Sequence, residues 1–207
     1  MEILSWWGLA GPVVMFALTM SATPGPNNMM LTASGAQYGF YRTLPHMLGI
    51  SIGFMVLMVA VALGLGSLFQ QWPILQQGLK VIGSAYLLWL AWKIAKAPAP
   101  ELAVSTEEGV SGRPFSFWQA LSFQFVNPKC WVMAISAIAS FTWTGDEFWL
   151  SAAFVTVLCG LTNLPSIAMW AGFGVAIGRL LKKAWHWRCF NGVMGAMTAA
   201  CVLLILS

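Results

Sequence analysis

Apolar residues along the chain fall into six long stretches, at about 8–36, 44–66, 73–95, 115–143, 148–177 and 189–206. A helix rises 1.5 Å per residue and needs about 20 residues to cross roughly 30 Å of hydrocarbon, which each stretch can do. Membrane-barrel strands are about 10 residues long and alternate polar with apolar positions, and these runs do neither. The pattern predicts an all-α integral membrane protein of six transmembrane helices. One long polar segment interrupts it, KAPAPELAVSTEEGVSGRP, from Lys96 to Pro114.

Two of the six stretches contain helix breakers at depth. The first carries TPGPNN, Thr23 to Asn28, and the fourth carries FVNPK, Phe125 to Lys129. A proline inside a helix removes a donor and clashes with the preceding turn, so the first and fourth helices are expected to be broken near the middle of the bilayer. Three crossings per half force the second half to enter from the opposite side. The predicted organisation is therefore a single transporter domain, 1–207, of two inverted three-helix repeats: about 1–95 and about 115–207, joined by a cytoplasmic linker at about 96–114. Paired interrupted helices in corresponding positions point to a transporter's central site.

Composition agrees. Of 207 residues 59% are hydrophobic and only 8% charged, and mean hydropathy is +0.77, whereas a soluble domain carries about 25% charged residues. Such a chain buries itself against lipid, which removes soluble enzyme folds from consideration. The first Lys or Arg is Arg42, so the first stretch lacks the basic start of a secretory signal and is expected to be retained. Cys130, Cys159, Cys189 and Cys201 show no CxxC spacing and are read as small core residues.

Charge also sets orientation. Eight of the ten cations fall in the first, third and fifth connections: Arg42; Lys93, Lys96 and Arg113; Arg179, Lys182, Lys183 and Arg188. The positive-inside rule makes those connections cytoplasmic and puts both termini outside, periplasmic in a bacterium. Trp6, Trp7, Trp72, Trp143 and Trp149 would then line the outer interface, and Trp92, Trp118, Trp185 and Trp187 the inner one. The net charge of +4 reflects loops facing anionic lipid, a lipid-bilayer partner and not a nucleic acid.

The breaks carry the candidate chemistry. Asn127 is placed to cap the helix that resumes at Pro128, and Pro26 can open the resumed helix of the first span, with Gly25 supplying conformational freedom and close backbone approach. Both half-helices would aim free N–H groups and partial positive charge at the membrane middle, where a carboxylate can be received. Lys129 adds a full charge with no Asp or Glu in any span to pair with it, so it should face a wet cavity. The expected substrate-binding set is Pro24, Gly25, Pro26, Asn27, Asn28, Asn127, Pro128, Lys129 and Asn163. Lys80 is read as a residue that snorkels or serves the site, and His46 as an interfacial residue. Gly49/Gly53 and Gly174/Gly178 are read as packing positions.

TPGPNN, LGISIGF in the second stretch, LKVIGSAYLLWLAWKI in the third and QFVNPK in the fourth together resemble the LysE/RhtB-type amino-acid exporters, over nearly the whole chain. The resemblance implies a multi-pass protein of the bacterial inner membrane that exports amino acids or close derivatives, commonly driven by the proton gradient. Members that export basic amino acids tend to carry an acid in the second segment. This chain has none there, so small neutral substrates such as threonine, homoserine or cysteine are expected. A membrane-embedded enzyme would need an acid, base or nucleophile constellation in the spans, and a channel or metal-ion efflux protein an acidic ring or a His/Cys cluster. Export by alternating access is the preferred reading, with no cofactor, no metal and no enzymatic activity. The oligomeric state is left open, a homo-oligomer included.

Overall fold

Both breakers interrupt helices where the prolines predict. The computed structural model describes residues 2–98 and 113–203. Its helices are α1 (Glu2–Ala22), α2 (Pro26–Tyr38), α3 (Phe40–Ala60), α4 (Gly66–Gln71), α5 (Pro73–Ala95), α6 (Phe117–Val126), α7 (Pro128–Phe141), α8 (Phe148–Leu180) and α9 (Ala184–Ala200). No strand occurs among the described residues, and residues 99–112 of the polar linker lie outside them.

By length and apolarity Phe40–Leu65 and Gly145–Leu180 can each cross a membrane, and Trp6–Ala22 with Pro26–Tyr38, bent by 63°, meets the same standard only as a pair, the geometry of a broken span or of a re-entrant loop. The other three expected spans coincide with helices that fall short of that standard for visible reasons. α5 carries Gln76, Gln77, Lys80 and Lys93, α6 and α7 split one span into pieces of 10 and 14 residues, and α9 has 17 residues. The outside of the bundle is nonetheless apolar: Met15, Leu63, Val81, Leu161 and Met169 are each more than half exposed, a surface suited to lipid.

Among the described residues the apolar side chains form four clusters, of which the two largest pack on either side of the breaks. One gathers Val13 and Ala17 of α1, Phe54 and Leu57 of α3, Trp131 and Ala134 of α7 and Val155 of α8. The other gathers Leu31 of α2, Met47 and Ile50 of α3, Ala120 of α6 and Ile167 and Ala171 of α8. Around the second core the helices touch backbone to backbone. A Cβ on Gly35 would meet the Ala171 carbonyl, one on Gly174 the Thr32 carbonyl, and one on Gly178 would lie 2.6 Å from Ala36 O. On the other side of α3 a Cβ on Gly49 would meet the Phe117 carbonyl, and one on Gly53 would lie 2.8 Å from Leu121 Cα. The glycine pairs thus serve close packing, as their spacing predicts.

Three expectations need correction. His46 is not interfacial: it is 1% exposed, neither ring nitrogen has a hydrogen-bond partner, and its ring lies 5.3 Å from that of Phe115. Trp187 is buried, its Nε1 donating to Leu181 O at 3.1 Å. Cys189 is exposed, whereas Cys130, Cys159 and Cys201 are buried.

Candidate functional site

The site is built where α1 stops and α2 starts, opposite the same event between α6 and α7. α1 ends because Pro24 and Pro26 cannot continue its hydrogen-bond ladder. Its last carbonyls are taken up locally: Asn28 reaches back so that its Nδ2 donates to Ser21 O at 2.9 Å and Thr23 O at 2.8 Å. α2 then opens with Pro26 and no side-chain cap, because Gly25 has none to offer. Met29 N donates to Gly25 O at 3.1 Å, while the N–H groups of Asn27 and Asn28 have no acceptor among the described residues.

The second break is finished differently. Asn127 is extended and its Oδ1 accepts from Lys129 N at 3.2 Å, so α7 is capped by its own chain. Asn127→Ala is therefore expected to lower stability by about 1 kcal/mol, read as a fall of about 2–4 °C in the thermal midpoint of the detergent-purified protein. An unchanged midpoint would show the cap to be energetically idle.

Lys129 crosses from α7 to the first break. Its Nζ donates to Thr23 O at 2.7 Å and Thr23 Oγ1 at 2.8 Å, with Pro24 O at 3.5 Å. Gly25 has φ −173° and ψ 175°, an extended conformation open to any residue, so conformational freedom is not its reason for being there. Close approach is: a Cβ there would lie 3.0 Å from Lys129 Cδ and 3.1 Å from Nζ.

Buried amides complete the walls. Gln124 is 0% exposed; its Oε1 accepts from Asn27 Nδ2 at 2.8 Å and from Cys130 Sγ at 3.0 Å. Ser51 Oγ donates to Asn163 Oδ1 at 3.0 Å, and Asn163 Nδ2 donates to Ser21 Oγ at 2.9 Å, tying α3, α8 and α1 together. Between these groups lies a cavity of about 30 Å³, room for about two waters. Of the sequence-predicted residues, Gly25, Pro26, Asn27, Asn28, Asn127, Lys129 and Asn163 line it; Pro24 and Pro128 do not. Lys80 is half-buried on α5 and also lies outside it. Sequence reasoning missed Ser21, Gln124 and Cys130 as lining residues, although a glutamine three residues before the break in an apolar span was a usable signal.

An apolar helical bundle with a small cavity at two helix breaks fits one class, a membrane transport protein, and it is the family match that assigns the chain to it. The chain belongs to the LysE type translocator family, which its residues 18–207 match. It is 30% identical over 190 residues to the cysteine/O-acetylserine efflux proteins of Escherichia coli strain K12 and of Shigella flexneri serotype 5b, covering 92% of this chain and 93% of each relative. No solved structure matches it.

Proposed function

We propose that the protein is a secondary transporter that exports small neutral amino acids or their derivatives across the bacterial inner membrane by alternating access. The observation that carries this is the uncapped start of α2 beside the Lys129 ammonium, two groups that receive a carboxylate, in a cavity whose other walls are uncharged amides, hydroxyls and apolar side chains. The relatives' names point the same way, since cysteine and O-acetylserine are small neutral amino acids. Proton-gradient coupling is part of the proposal, on the family resemblance alone.

Six spans in two inverted repeats account for the packing. α2 of the first span packs on α8 of the fifth, and α6 of the fourth packs on α3 of the second; the second also meets the fifth, and the third meets the sixth through α5 and α9. Taken span by span these pairings exchange when the halves are exchanged, although the half-helices differ, since α2 follows its break and α6 precedes its own. Both resumed helices begin on proline and run 13 and 14 residues. The glycine crossings of α2 with α8 and of α3 with α6 lie toward one end of the bundle and hold the helices backbone to backbone there. With both termini periplasmic, that end is the cytoplasmic one. A C-terminal reporter active only in the periplasm should accordingly work and a cytoplasm-only fluorescent one stay dark; the reverse pattern contradicts this orientation.

Substrate class is tested by charge. A lysine or arginine side chain would bring a second cation to the middle of the membrane at a cost of at least about 2.5 kcal/mol, nearly two decades of discrimination. Among the described residues no carboxylate lines the cavity to meet it. Cells loaded through dipeptides and overexpressing the protein should release threonine, homoserine or cysteine above background and leave lysine and arginine at background. Equal release of lysine would contradict the assignment.

A further inference from the structure

We infer that the Lys129 ammonium occupies the subsite of the substrate's own α-ammonium, and that a zwitterion binds by displacing it. The inference rests on the transport reading above and specifies how the substrate is recognised. Helix α1 presents its negative end at the break, where Ser21 O and, just past the helix, Thr23 O accept from Asn28 Nδ2. Lys129 Nζ sits on that end, 2.7 Å from Thr23 O and 2.8 Å from Thr23 Oγ1. This is the coordination an ammonium seeks, and the group filling it is chemically the same as the amino group of an amino acid.

The positive pole is close by. Thr23, Pro24 and Gly25 alone separate α1 from α2, whose Asn27 and Asn28 N–H groups have no acceptor among the described residues. An α-amino acid, with ammonium and carboxylate on one carbon, can bridge the two poles. As its ammonium takes the Thr23 oxygens, Lys129 is released and finds its new partner in the incoming carboxylate. Gly25 leaves the lysine stem room in the docked position, since a Cβ would press on it at 3.0 Å. The cavity of about 30 Å³ is too small for any amino acid, so binding must move something, and Lys129 is the wall that a zwitterion can compensate for moving. A carboxylate without an amine leaves Thr23 Oγ1 without a donor once Lys129 departs, and Thr23 O with Asn28 Nδ2 alone. An amine without a carboxylate evicts Lys129 and gives it no anion.

The test is equilibrium binding of cysteine, 3-mercaptopropionate and cysteamine, under reductant, to the full chain in lipid nanodiscs. Wild type should bind cysteine at least about tenfold tighter than either fragment. Lys129→Met, with Lys129→Gln as a second uncharged variant, should bind cysteamine at least about tenfold tighter than wild type does. Thr23→Val added to either should remove most of that gain. No gain in a folded variant overturns the inference, and so does a gain that survives Thr23→Val, which would be simple relief of charge repulsion. Cysteine binding to wild type with no gain for cysteamine sinks this inference alone. If neither cysteine nor any other neutral amino acid binds wild type, the transport reading fails and takes this inference with it.

Discussion

Lys129→Ala is expected to reach the membrane at normal abundance and to export neutral amino acids more than tenfold more slowly, a loss of at least about 1.4 kcal/mol. Two observations separate the effects on folding and transport. The lysine is half-buried and its ammonium bonds to the first break alone, so truncation leaves no buried partner without access to the cavity. The charge, in contrast, has no substitute: among the described residues it is the one cation lining the cavity. Lys129→Arg should rescue little, because a planar fork is wider than an ammonium and the space over Gly25 is already filled by the lysine stem. The measurement is efflux normalised to immunodetected protein. Unchanged efflux in the alanine variant would make the lysine structural.

Gly174→Val should instead abolish the fold. A Cβ at this position meets the Thr32 carbonyl and lies 3.0 Å from Ala36 N, so backbone of α2 blocks it and no side-chain rotation helps. Overpacking a rigid core costs about 1–3 kcal/mol and more where backbone must move, against a total stability of about 5–15 kcal/mol. Gly172, two residues away on α8, has nothing within 4 Å of its would-be Cβ. Gly172→Val is therefore the control: it should elute as a monodisperse peak in mild detergent while Gly174→Val aggregates or is degraded. Equal behaviour of the two would show that the α2–α8 contact is looser than described.

Much of this was legible in the sequence because it is local. Proline chemistry located both breaks to the residue, and Asn127 as a cap follows from its place before Pro128. Even the inequality of the two half-helices can be read there: Gly25 precedes Pro26 where Asn127 precedes Pro128, and only the asparagine has an oxygen with which to cap. What stayed hidden depends on long-range approach. Gln124 meets Asn27 across 97 residues, and Lys129 meets Thr23 across 106. Neither periodicity nor hydropathy reports such distances. His46 was misjudged for the same reason: its position in the chain is near a helix end, but Phe115, from a segment far along the chain, covers it. Gly25 illustrates a right residue with half a wrong cause, since its backbone is ordinary and its missing Cβ is what the lysine stem requires.

The central claim, a carrier that alternates access to a site at the paired breaks, is tested most directly by counterflow. Purified protein in liposomes preloaded with excess unlabelled cysteine, under reductant, is diluted into a trace of labelled cysteine outside. A carrier exchanges one for the other, so label should accumulate transiently above its external concentration and then decay, and Lys129→Ala liposomes should show no overshoot. Label that only equilibrates, without overshoot and at the same rate in wild type and Lys129→Ala, would identify a passive pore and contradict the account.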